Sequence, residues 1–207
     1  MTNFETESGA SREELVQRVA LMETMIAEGR QSTARFGWFF VMWGLVYFAA
    51  IGWSFYLPYK YWAWPVCGGL AILAGIAVRV RQKRAFGARA NLRSRSIEAV
   101  WQGMGAAIIL YVVAAIASHH AGNPAYVGAI LFFIGLAHAI SARILRWSVQ
   151  GVVAAIWWVG GITVFFVTPD QSVVIFLVAS FFGMICFGLY AMWLERRSAA
   201  ALVQHHA

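Results

Sequence analysis

His138 is the one histidine that falls well inside a long apolar run of this 207-residue chain. An ionisable side chain at membrane depth is by default a functional candidate. His138 could relay a proton or ligate a haem or a metal ion. A metal site needs several ligands, and a bis-histidine haem needs a facing partner. His119, His120, His205 and His206 all lie outside the apolar runs. Adjacent residues on a helix do not share a face, so neither histidine pair makes a metal site by itself. The plainer reading of His138 is a neutral imidazole hydrogen-bonded to a neighbouring helix.

Glu98 and Gln102 stand one helical turn apart at the start of another apolar run. They could border a polar path together with His138. Equally, a carboxylate in the first turn of a helix is favoured by the helix dipole and can pair with nearby arginines. Trp157-Trp158 lies mid-run, where it could stack on a flat ligand or simply fill the core. Ser180 is the only nucleophile worth setting beside His138, and nothing supplies an oxyanion site. No rhomboid-like Ser/His set, intramembrane aspartate pair or histidine-rich di-iron box is present. The expectation is a non-enzyme with no cofactor.

Cys67 and Cys186 both sit in apolar stretches and read as small buried hydrophobes. Two cysteines are too few for a disulfide scaffold.

The elements that carry these residues follow from hydropathy. The chain is 61% hydrophobic and 12% charged, against about 45–50% and about 25% in an average soluble domain. A soluble fold of this size would expose large apolar patches. Hydrocarbon as solvent removes the conflict. Six apolar runs are read as spans, at about 36–56, 61–80, 97–118, 124–142, 149–167 and 172–194. Each is close to the ~20 residues that cross ~30 Å as helix. Helix is required because backbone polar groups find no water there. Breakers separate the runs: Leu57-Pro58-Tyr59-Lys60, His119-His120-Ala121-Gly122-Asn123-Pro124 and Thr168-Pro169-Asp170-Gln171. The predicted fold is an all-α polytopic bundle of six transmembrane helices in three hairpins. A cytoplasmic tail (1–35) precedes it and a second tail (198–207) follows.

The tail carries one amphipathic helix, about 11–29. Ser11-Arg12-Glu13-Glu14 reads as a capping box. Leu15, Val19, Met22 and Ile26 then recur at helical spacing, and Glu14 with Arg18 makes a favourable i,i+4 pair. Such a short helix is marginal alone. Its polar face is mixed and acidic, which is wrong for an anionic membrane surface. The stripe is therefore expected to contact protein: a second copy of the chain, another partner, or the chain's own basic segment. The tail's composition also predicts no cleavable leader.

That basic segment, 79–95, holds Arg79, Arg81, Lys83, Arg84, Arg89, Arg93 and Arg95 and no acid. Arg81, Lys83, Arg84, Arg89, Arg93 and Arg95 are candidates for contact with anionic lipid headgroups. Despite the net charge of +7, nucleic acid is not the expected partner, because the basic residues flank apolar runs as topology signals do. With the N-terminus inside, 15 of the 16 Lys and Arg residues fall on one side and only Lys60 on the other. This predicts an integral plasma-membrane protein of the bacterial inner-membrane kind, both termini cytoplasmic.

Small residues four apart, Ala71/Gly75, Gly103/Ala107, Gly135/Ala139 and Ala179/Gly183, allow close helix approach in lipid. Each outer turn has a proline in or beside it (Pro58, Pro124, Pro169), and 45–51 loosely echoes 110–116. Three such hairpins loosely resemble the arrangement of HdeD-type bacterial membrane proteins, a likeness that implies a membrane-stress role. The acidic N-terminal helix departs from that pattern.

Overall fold

The computed structural model describes residues 14–21, 37–86, 92–120 and 123–204. Among these the chain is helical between short turns and contains no strand. We number the helices α1 (14–21), α2 (Gly37–Tyr56), α3 (Ala63–Phe86), α4 (Leu92–Ala117), α5 (Pro124–Leu145), α6 (Ser148–Thr163), α7 (Pro169–Ser180) and α8 (Phe187–Gln204). Five stretches are long and apolar enough to cross a membrane: Gly37–Tyr56, Ser96–Ala117, Pro124–Leu145, Ser148–Phe166 and Pro169–Arg197. The apolar part of α3, Ala63–Val78, is shorter.

The helix ends follow local chemistry. Asn123 caps α5 by accepting from the Ala125 amide at 2.9 Å, with Pro124 in the first turn. Thr168 and Gln171 form a reciprocal capping box on α7. Helix α7 therefore starts at Pro169, inside the segment that reads as a turn. The α2–α3 turn is pinned by the Trp53 indole, which donates to the Pro58 carbonyl at 2.9 Å. His119 and Arg146 end α4 and α5 with positive φ, and the amides of His120 and Trp147 reach back to Ala115 and Ala142. In the α4–α5 link the adjacent histidines thus belong to a helix stop.

The basic segment is largely helical. Helix α3 continues to Phe86 and α4 begins at Leu92, so all of it outside 87–91 is helical. Arg, Lys, Gln and Ala are good helix formers, and a helix leaving hydrocarbon has no reason to stop where charge begins.

The best-packed unit is α5 with α6. Phe132 lies over Gly161, and Trp158 and Trp157 lie over Gly135. Helices α7 and α8 continue one another through a π-helical segment, Phe181–Cys186. There Gly183 leaves room for the Trp157 indole. Helix α2 crosses α8 with Gly37 against Gly188, and Gly44 faces Met184 and Ile185. The core of Phe40, Leu131, Ile134, Leu145, Trp157, Phe176, Met184 and Phe187 lies between α2, α5, α6, α7 and α8. Helices α3 and α4 are peripheral. Helix α3 rests on α2, and α4 rests on α5 with Trp101 reaching Phe40.

Candidate functional site

His138 is fully buried. Three rings from three other helices enclose its imidazole: Phe40 (α2) at 5.6 Å, Trp101 (α4) at 4.9 Å and Phe187 (α8) at 5.4 Å between centroids. The Trp101 and Phe187 rings stand nearly perpendicular to it, at 84° and 88°. Edge-to-face geometry matches the positive edge of one ring to the negative face of another. Neither ring nitrogen has a hydrogen-bond partner among the described residues. The expected hydrogen bond from His138 to a neighbouring helix is not among their contacts, and ring packing surrounds the side chain instead.

His138, Glu98 and Gln102 do not come together. Gln102 Nε2 donates to Glu98 Oε1 at 3.0 Å on an exposed part of α4, while Trp101 from the same helix closes the His138 box. Because α4 begins at Leu92, Glu98 stands nearly two turns into the helix, beyond the first-turn amides. Ser180 Oγ likewise has no partner, so it is not bonded to His138. Among the described residues no three His, Cys, Asp or Glu side chains group as a metal site. Both cysteines are free.

The Trp157-Trp158 pair divides between two faces, as adjacent helical residues must. Trp157 is wholly buried against Gly183 and Phe176, whereas Trp158 covers Gly135 and remains partly exposed.

A polar set passes through the same core. Ser141 (α5), Gln150 (α6) and Ser180 (α7) are fully buried with His138. Ser141 Oγ, both amide atoms of Gln150, Ser180 Oγ and the Trp157 Nε1 find no partner among the described residues. Elsewhere in this chain helical hydroxyls bond back to their own backbone: Ser54 to Ala50, Ser118 to Ala114 and Thr163 to Val159, each at 2.8 Å. The two core serines do not. Ser141 lies one turn from His138 on the same face of α5. Gln150 escapes a sequence reading because it sits close to Arg146 and Trp147, where a polar residue looks interfacial. Trp147, which precedes α6, packs on Phe187 and Tyr190 at the start of α8.

On α1, Leu15 and Val19 are 59% and 55% exposed, and Arg18 pairs with Glu14 at 2.6 Å. Met22 and Ile26 of the stripe lie outside the described residues, as do Ser11 of the capping box and Arg89. Arg81 is exposed near the end of α3. Lys83 and Arg84 follow it on α3, and Arg93 and Arg95 open α4.

The chain matches no family model, no curated protein and no solved structure. The likeness to HdeD-type proteins thus rests on hairpin arrangement alone.

Proposed function

We propose that this is a non-enzymatic integral membrane protein that acts by assembly, with α1 as its contact to a second copy or to another protein. The observation that supports this is the apolar stripe of α1. Leu15 and Val19 lie open on a helix whose described residues, 14–21, are all exposed. A short helix gains most of its stability by burying such a stripe. Each apolar side chain buried at a contact contributes about 1.5–3 kcal/mol. The full-length Val19→Asp/Met22→Asp protein is therefore expected to associate at least ~100-fold more weakly. Mass in detergent by light scattering and a pull-down with wild-type chain as bait read this out. An unchanged mass together with an unchanged pull-down would dispose of the reading.

In this proposal the chain spans six times with both termini cytoplasmic, α3 being the span added to the five long apolar stretches. Its apolar part, Ala63–Val78, covers only ~24 Å at 1.5 Å per residue. Arginine stems that snorkel and local bilayer thinning make up such a deficit. Arg79 and Arg81 stand at one end of α3, with Trp62 and Trp64 at the other. Charge favours six spans, because an odd number would put the two ends of the chain on opposite sides. Reporter fusions at residues 1 and 207 should both report cytoplasm. Opposite compartments would leave five spans.

The basic segment is assigned to anionic lipid headgroups, at roughly 1 kcal/mol per residue near the surface. The alternative, a channel or carrier for a neutral or weakly polar solute bordered by His138, Glu98 and Gln102, gains less support. Aromatic rings enclose the histidine, and the other two residues bond each other.

A further inference from the structure

The N-terminal stripe has a second regularity besides its single face. Leu15, Val19, Met22 and Ile26 follow one another at intervals of four, three and four, the a/d alternation of a heptad repeat. In that register Leu15 and Met22 take d, and the β-branched Val19 and Ile26 take a. β-Branched residues at a with leucine at d favour a parallel pair of helices. The charges beside the seam agree. Arg18 falls at g and Glu23 at the following e, and in a parallel pair those two positions face each other across the seam. Leu15 and Val19 on α1 are exposed, as is Val16 at the flank of the seam. Met22, Glu23 and Ile26 continue the pattern in the sequence, outside the described residues.

We infer that α1 pairs, parallel and in register, with α1 of a second copy of this chain, Leu15 and Val19 each meeting their own counterpart across a two-fold axis. The pairing rests on the assembly reading of α1 and names its partner. A second copy brings an identical stripe, so the seam is complementary to itself. It also sets an arginine against a glutamate on both flanks, Arg18 of each chain beside Glu23 of the other. Copies inserted in one bilayer with the same orientation send α1 out on the same side, as a parallel pair requires. Two heptads are short for a free peptide, but two chains anchored in one membrane meet at raised effective concentration. The chain's own basic segment is a poorer occupant. It suits the acidic polar face of α1 and leaves the apolar stripe open.

The test uses the full chain in membrane vesicles, with both native cysteines replaced (Cys67→Ala/Cys186→Ala) and one cysteine returned to α1. Oxidation with copper phenanthroline then reads which positions meet. Leu15→Cys and Val19→Cys should give a disulfide-linked dimer at least about fivefold faster than Gln17→Cys and Ala20→Cys, which the heptad places away from the seam. All four positions lie on exposed residues of α1, so the packed helices are not disturbed. The flanking charges are tested in the Leu15→Cys chain. Arg18→Glu and Glu23→Arg should each slow linking about threefold to tenfold, and the double swap should restore it to within about twofold. The double swap does not restore the Arg18–Glu14 pair within one chain, so rescue reports the contact between chains. Equal linking at all four positions, or no rescue by the double swap, would overturn the pairing. If that happens while Val19→Asp/Met22→Asp still weakens the pull-down, α1 grips a different surface and the assembly reading stands without this partner. If the pull-down and the mass are unchanged as well, both fall.

Discussion

Gly188→Ala is expected to destabilise the protein by about 1–3 kcal/mol, and Gly188→Val by more. A Cβ on Gly188 would stand 2.6 Å from the Gly37 carbonyl oxygen and 2.9 Å from the Val41 amide nitrogen. The reverse holds too, since a Cβ on Gly37 would stand 2.7 Å from the Gly188 oxygen. These neighbours are backbone, which cannot rotate aside, so α2 and α8 must separate. Alanine in place of a mid-helix glycine gains at most about 1 kcal/mol of helix propensity, too little to offset the loss of the crossing. Lipid supplies no hydrophobic force between helices, so close backbone approach carries much of their association. Gly103→Ala on α4 is the matched control. Nothing lies within 4 Å of its would-be Cβ, and the change should be neutral or stabilising by up to about 1 kcal/mol. Thermal unfolding in one detergent, followed by thiol labelling of the free cysteines, compares the pair. Equal midpoints for Gly188→Ala and wild type would refute the crossing as drawn.

The contrast between these glycines marks what the sequence could and could not convey. Apolar runs of span length separated by proline-bearing turns are one-dimensional signals, and they carry the all-helical class and the helices long and apolar enough to cross a membrane. Which small residues lie at contacts is a three-dimensional matter. Gly135 and Gly183 do meet aromatic rings of α6, yet Gly103 faces open space on peripheral α4. The crossing of Gly37 on Gly188 joins residues far apart in the chain, and no spacing rule singles it out. The π-helical segment Phe181–Cys186 is also silent in the sequence, because its residues are as apolar as those of the α-helix on either side. His138 was legible as a site worth weighing. Its aromatic enclosure was not, since Phe40, Trp101 and Phe187 reach it from three separate helices.

Gln150→Leu should raise stability by about 1–3 kcal/mol, the reverse of the usual outcome at a fully buried position. Gln150 is wholly buried, and neither its amide nitrogen nor its carbonyl oxygen bonds any group among the described residues. Leucine is close in size, so the exchange opens little cavity and breaks no protein hydrogen bond, while the desolvation cost of the amide disappears. Ser141→Ala and Ser180→Ala should follow with smaller gains, as their hydroxyls are equally unpaired. Ser54→Ala serves as the comparison. Its hydroxyl bonds the Ala50 carbonyl at 2.8 Å, so its removal brings no such relief. Thermal midpoints for the four variants decide the matter, and a Gln150→Leu protein less stable than wild type would show that the amide does make a bond worth keeping. The gain has a consequence for function. His138, Ser141, Gln150 and Ser180 are four fully buried polar side chains whose polar atoms find no partner among the described residues. Gln150→Leu and Ser141→Ala/Ser180→Ala, being well folded, then report cleanly on whether assembly through α1 depends on the core around His138.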